Sequence, residues 1–163
     1  MGGGPTGRAA LKRAALARLP DPPTNVHYLT ADVTTDPLPD TLAGAGFDAT
    51  ARTLVVFEAV AQYLPADGVE PTFAWAGALP RGSRLVFTYL PGTVWRERPR
   101  ASRRYGWLSA YEPAEVPALL ARHGLTLRED VGAEAYPARY PQLHGRRLTL
   151  REIERVVLAE VAG

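Results

Sequence analysis

The chain reads as an α/β protein with a mostly parallel sheet. R52-T-L-V-V-F-E58 is apolar without alternation, the pattern of a strand covered on both faces. A segment of helical period separates it from a second apolar strand, R84-L-V-F-T-Y-L90, which makes a strand-helix-strand unit. The cycle then recurs, with a helix over 112–123 leading into the strand L125-T-L-R-E-D-V131.

With 163 residues, 46% of them hydrophobic, one domain with a real core is expected. Residues 1–7 are glycine-rich and expected to be disordered, whereas R8-A-A-L-K-R-A-A-L-A-R-L19 has a helix former's composition and stops at Pro20. V26-H-Y-L-T-A-D-V33 is rich in β-branched and aromatic residues and predicts a strand ending at Asp32. T41-L-A-G-A45 is a short helix at most. Asp67 is placed to cap a helix whose Val69, Phe73, Ala76 and Leu79 share a face, and R81-G-S83 breaks it. Residues 91–104, with five arginines and two prolines, have no period and predict a long loop. The helix before the strand at 125 turns Val116, Leu119 and Leu120 inward and takes Gly124 as its C-cap. At the C-terminus, Thr149 and Glu152 form a capping box favouring a helix, while the V-V-L-A run over 154–161 favours a buried last strand.

Composition narrows the function. The net charge is +2, and all but one of the nineteen basic residues, Lys12, are arginine. Together with the abundant Ala, Gly and Pro, this points to a GC-rich bacterial genome rather than a nucleic-acid footprint. Cysteine is absent, which excludes disulfides, thiolate metal sites and a cysteine nucleophile, and suits a reducing cytoplasm. No apolar run reaches the length of a membrane helix. His27, His123 and His144 lack metal spacing, and no serine sits in a G-x-S-x-G elbow. R96-E-R-P-R-A-S-R-R104, flanked by Trp95, Tyr105 and Trp107, is the one candidate for RNA contact over residues 95–107. A solvated loop, or a lid over a small anionic substrate, is the favoured reading of it.

Strand ends remain. Ligands of open parallel sheets sit beyond the carboxyl ends of the strands, where Asp32 and Glu58 fall. Each acid alone is weak evidence, a solvated or capping strand-end acid being the bland reading, but two carboxylates on adjacent strand ends suit a ligand with a nucleoside and an ammonium group.

F57-E-A-V-A-Q-Y-L-P65 resembles the E-G-V-x-x-Y-L-P block of the leucine carboxyl methyltransferase-like family of S-adenosylmethionine-dependent methyltransferases. L11-K-R-A-A-L16, N25-V-H-Y-L-T-A-D-V33, L42-A-G-A-G-F-D48 and L79-P-R-G-S-R-L-V-F87 are similar to further blocks of that family, in order and spacing, so the resemblance spans roughly residues 8–161. It implies a Rossmann-like methyltransferase fold, whose full sheet order is 3-2-1-4-5-7-6, with strands 3 to 7 kept and strands 1 and 2 lacking. It assigns 154–161 to the antiparallel final strand. The cofactor implied is S-adenosyl-L-methionine, and the partner a small-molecule or carboxylate methyl acceptor.

Site roles follow from the same resemblance. Asp32 and the Val33 N–H would hold the adenine edge. Glu58 and Ala59 would lie at the methionine end, Glu58 orienting the sulfonium region, with Glu58 and Tyr63 as the catalytic candidates. Ala59 stands where the family has glycine. The glycine loop G-A-G-x-D-x-R is not in the sequence, the aspartate of the ribose-binding D-x-P motif would fall at Gly4, and Pro71 and Pro117 fall in early helical turns. An N-terminally truncated, impaired enzyme is therefore expected, with a non-catalytic remnant that pairs with another chain as the alternative. The 26–33 strand would then move beside 52–58 to cover the vacated sheet edge.

Overall fold

A computed structural model describes residues 5–140 and 150–162. Two compact units make up the chain, residues 1–48 and 49–163. The first holds two helices, α1 (Pro5–Leu16) and α2 (Leu38–Gly44). Helix α1 ends three residues earlier than its composition predicts, and its chain continues through a turn to Pro20. Of the glycine-rich start expected to be disordered, residues 1–4 lie outside the described residues.

The predicted strand over 26–33 does not form: these residues run as irregular chain, with Val26 and Leu29 exposed. Its proposed move beside residues 52–58 is overturned with it. Strand propensity needs a partner ladder and a packed face to act, and this segment finds neither.

The second unit is built on a four-stranded sheet. In chain order its elements are β1 (Leu54–Phe57), α3 (Glu70–Gly77), β2 (Arg84–Tyr89), α4 (Gly92–Glu97), α5 (Pro99–Tyr105), α6 (Val116–Ala121), β3 (Leu125–Val131), α7 (Tyr136–Arg139) and β4 (Arg155–Val161). The spatial order is β1-β2-β4-β3. Strands β1 and β2 are parallel, with Val56 opposite Val86. β4 runs antiparallel to both neighbours, pairing Leu158 with Val86 on one side and with Glu129 on the other. This is the 4-5-7-6 portion of the order named above, and it settles 155–161 as a strand; Thr149 of the competing capping box lies outside the described residues.

The core lies on one face of this sheet. Leu85, Phe87 and Tyr89 of β2 and Val157 and Ala159 of β4 are fully buried there, with Phe73 of α3 and Leu120 of α6 equally so. The Phe73 ring meets Phe87 at 4.8 Å and Phe57 at 6.5 Å, close enough for favourable tilted and edge-to-face packing. The opposite face differs from expectation. Leu54 and Val56 are 61% and 58% exposed, so the unbroken apolar run of β1 does not mark a strand covered on both sides.

Several local readings are corrected by where the prolines sit. Pro71 and Pro117 occupy the first or second position of α3 and α6, as do Pro39, Pro99 and Pro137 in their helices. There the missing N–H has no helical acceptor and the fixed φ suits the helix, so these prolines start helices rather than damage them. Asp67 does not cap α3 through its side chain; its backbone carbonyl accepts from the Glu70 N–H. The expected loop over 91–104 contains α4 and α5 instead, with Pro99 opening α5 and Gly106 closing it at φ 70°. Among the described residues, no helix is long and apolar enough to cross a membrane.

Candidate functional site

In the first unit, Asp32 lies in a turn rather than at a strand end. Its Oδ1 accepts from the Thr34 N–H at 2.9 Å and from the Thr34 hydroxyl at 2.6 Å, the closure typical of an Asx turn. The Thr34 hydroxyl, followed by its N–H, holds the Asp32 carboxyl below its ordinary value, so it is ionised at neutral pH. The Asp32 N–H is taken by Asp36 Oδ2 at 2.7 Å. Asp32 Oδ2 and the Val33 N–H have no hydrogen-bond partner among the described residues. The turn thus leaves one acceptor and one donor on consecutive residues open to a ligand.

In the second unit, Glu58 follows the last residue of β1 and is exposed, with no hydrogen bond or ion pair among the described residues. Next to it Ala59 has φ 54°, the left-handed region. The Ala59 N–H donates to the buried Thr88 hydroxyl at 2.8 Å, which ties the turn to the end of β2. A Cβ in that conformation costs roughly 1 kcal/mol, which explains why glycine suits this position of the block. Ala59→Gly is therefore expected to stabilise the protein by up to about 1 kcal/mol, read as a higher urea midpoint at unchanged slope.

The residues after Ala59 are held firmly. The turn Ala61–Tyr63 accepts the Leu108 N–H on the Gln62 carbonyl at 2.7 Å and the Ser109 hydroxyl on the Ala61 carbonyl at 3.0 Å. The Gln62 side chain is 1% exposed and donates to Glu154 Oε1 at 2.8 Å, while its Oε1 is buried without a partner. Tyr63, in contrast, projects outward at 45% exposure. Glu58, Ala59 and Tyr63 therefore share one short, anchored segment at the carboxyl end of β1. Asp32 and Val33 belong to the other unit.

Sequence reading missed a polar cluster at the carboxyl ends of β2 and β3. Arg155 Nε donates to Asp130 Oδ1 at 2.8 Å, and Tyr89 donates its hydroxyl to Asp130 Oδ2 at 2.8 Å. Arg155 Nη1 also reaches Glu152 Oε1 at 3.1 Å. Burial, then the Asp130 carboxylate, pushes the Tyr89 phenol far above its ordinary value, which keeps it a neutral donor. The single Arg155 guanidinium serves the Asp130 and Glu152 carboxylates together, and the cluster ties β2, β3 and β4 to one another. The signal was faint: E129-D-V131 and E152-I-E-R155 are acids and an arginine inside or beside apolar runs.

Two other features bear on ligands. A cavity of about 530 Å³ lies on the open sheet face, lined by Val86, Val131, Tyr136, Tyr140, Val156 and Leu158 among others. It lies against the middle of β2, through Val86, and against the carboxyl-terminal end of β3, through Glu129 and Val131. In the arginine-rich segment, Arg96 is paired with Glu112 and the Tyr105 and Trp107 rings pack on each other at 5.3 Å.

The leucine carboxyl methyltransferase family profile matches residues 7–77. No curated protein matches the chain. A DUF574 family protein from Streptomyces avermitilis is similar in structure, with a TM-score of 0.67 at 20% identity over 93% of this chain and 60% of that one. Magnesium protoporphyrin IX methyltransferase from Synechocystis, with bound S-adenosylhomocysteine, has a TM-score of 0.54 at 14% identity over 96% of this chain and 58% of its own. For a putative methyltransferase from Bacillus halodurans the values are 0.58 and 13%, over 95% and 79%. The chain thus spans about 60% of the length of the first two. Residues 7–77 thus match the leucine carboxyl methyltransferase profile, and the chain's α/β fold is similar to that of solved methyltransferase structures.

Proposed function

We propose that the protein is an S-adenosylmethionine-dependent methyltransferase, or part of one, acting on an oxygen or carboxylate of a small molecule or peptide. The observation that carries this reading is the open pair on Asp32 and Val33: an ionised carboxylate with one free oxygen, followed by a free N–H. An adenine edge offers an amino donor beside a ring-nitrogen acceptor and matches that pair. Glu58, exposed and unpaired at the end of β1, is available to a sulfonium or amino group.

When bound, the cofactor supplies an electrophilic methyl group. The chain's own residues bind and align. A carboxylate acceptor is already nucleophilic and needs no base, so alignment and exclusion of water would carry the rate. A hydroxyl acceptor would need a base, and Glu58 and Tyr63 are the candidates on the anchored segment.

The test is saturation-transfer NMR of the purified chain with S-adenosylhomocysteine. Transfer to the adenine protons is expected, and Asp32→Ala should abolish it while leaving the folded spectrum of residues 49–163 intact. Equal transfer in the Asp32→Ala variant would refute the assignment of the adenine site.

A second reading, an interaction domain without catalysis, is favoured by one observation. Strand β1 pairs only with β2 among the described strands, and its apolar residues Leu54 and Val56 are exposed.

A further inference from the structure

The two edges of the sheet are built differently. At the β3 edge, Arg128, Glu129 and Asp130 interrupt the apolar pattern, and a register shift between Leu127 and Glu129 breaks the ladder. A bulge and charges are the usual protection of an edge strand against pairing with another chain. The β1 edge has neither: it reads Leu54, Val55, Val56, Phe57, with no lysine, proline or bulge.

Its outward backbone groups can be assigned. The Arg84 N–H donates to the Thr53 carbonyl, so the odd-numbered residues of this strand turn their N–H and C=O toward β2. By alternation, Leu54 and Val56 turn theirs to the open edge. No backbone partner meets them among the described residues.

The edge is also complementary to itself. If a second copy lies antiparallel with Val55 opposite Val55, then Leu54 faces Val56, Arg52 faces Glu58, and each pair occurs twice. Leu54 and Val56, the residues with outward N–H and C=O, become hydrogen-bonded pairs of the new ladder. Their exposed side chains, two from each copy, gather on one face of the sheet. Arg52 and Glu58 are both exposed and have no ion pair among the described residues.

We infer that the 163-residue chain forms a two-fold symmetric dimer through β1, joining two four-stranded sheets into one of eight strands. A two-fold interface requires such self-complementarity, and this short segment meets it in charge, apolar contact and hydrogen-bond register together. A junction this short buries less than the roughly 1,600 Å² of a standard interface, so the association is weak and reversible. The inference stands apart from the methyltransferase reading. The two share only Glu58.

Sedimentation velocity over a concentration series tests it. The wild-type chain should show a monomer–dimer equilibrium. Arg52→Glu, which sets carboxylates opposite each other at both ends of the junction, should weaken it by about tenfold or more. Glu58→Arg should do the same, and the double exchange should restore it. Val56→Lys, at an exposed position, should give monomer with an unchanged thermal transition. A wild-type chain that stays monomeric would overturn the inference, as would a dimer indifferent to the single exchanges or a double exchange that fails to restore association. Loss of dimer with adenine binding intact would leave the cofactor site standing, and the converse would leave the dimer standing.

Discussion

Replacing Arg155 by alanine is expected to destabilise the second unit by about 3–5 kcal/mol, because it removes one member of a buried ion pair and strands the other. The side chains of Arg155 and Asp130 are 15% and 12% exposed, so water cannot readily solvate the orphaned Asp130 carboxylate. Arg155 Nη2 also donates to the Asp130 carbonyl at 3.2 Å, so strand β3 loses an anchor to β4 as well. A typical domain has only 5–15 kcal/mol of total stability, so a loss of this size should be plain in urea denaturation. Tyr89→Phe should cost less, about 1–3 kcal/mol, since Asp130 keeps its arginine. The control is the double replacement Asp130→Asn with Arg155→Met, which removes both charges. It should recover much of the single variant's loss, and a double variant no more stable than Arg155→Ala would mean that packing, not the stranded charge, is what the single variant loses.

The strands of the second unit were legible because their apolar runs are continuous and bounded by turns. L125–V131 was placed to the residue, and β1, β2 and β4 to within one or two. Local pattern carried that much because burial on the α3 and α6 face enforces it. It failed where burial is absent. V26–V33 has the composition of a strand but no sheet to join, and β1 has the composition of a doubly covered strand while Leu54 and Val56 face outward. The helices of 92–105 were hidden because proline and arginine read as loop residues, and only helix starts at Pro99 and a left-handed stop at Gly106 reveal them. At the site, the block 57–65 was recognisable as a motif. The left-handed Ala59, the buried Gln62 and the Tyr89–Asp130–Arg155 cluster depend on contacts between residues 25 to 92 positions apart, which no local pattern records.

Calorimetric titration of the 163-residue chain with S-adenosylmethionine should give a dissociation constant in the millimolar range, with no measurable methyl transfer. On the proposed assignment, Asp32 and Val33 would offer the adenine edge two hydrogen bonds, and Glu58 would offer one carboxylate to the other end. Glycine, Gly4, stands where the resemblance would place the ribose-binding aspartate of D-x-P, and the sequence contains no G-A-G-x-D-x-R loop for the methionyl group. Each charge-assisted hydrogen bond forgone costs about 1.5–3 kcal/mol, so two or three account for the roughly 4 kcal/mol that separates micromolar from millimolar binding. Preorganisation adds to the deficit: the pair on Asp32 and Val33 belongs to one compact unit and Glu58 to the other, and β1 pairs with β2 alone among the described strands. A low-micromolar constant abolished by Asp32→Ala would show that the groups present suffice for a working site, and the argument from missing contacts would fail.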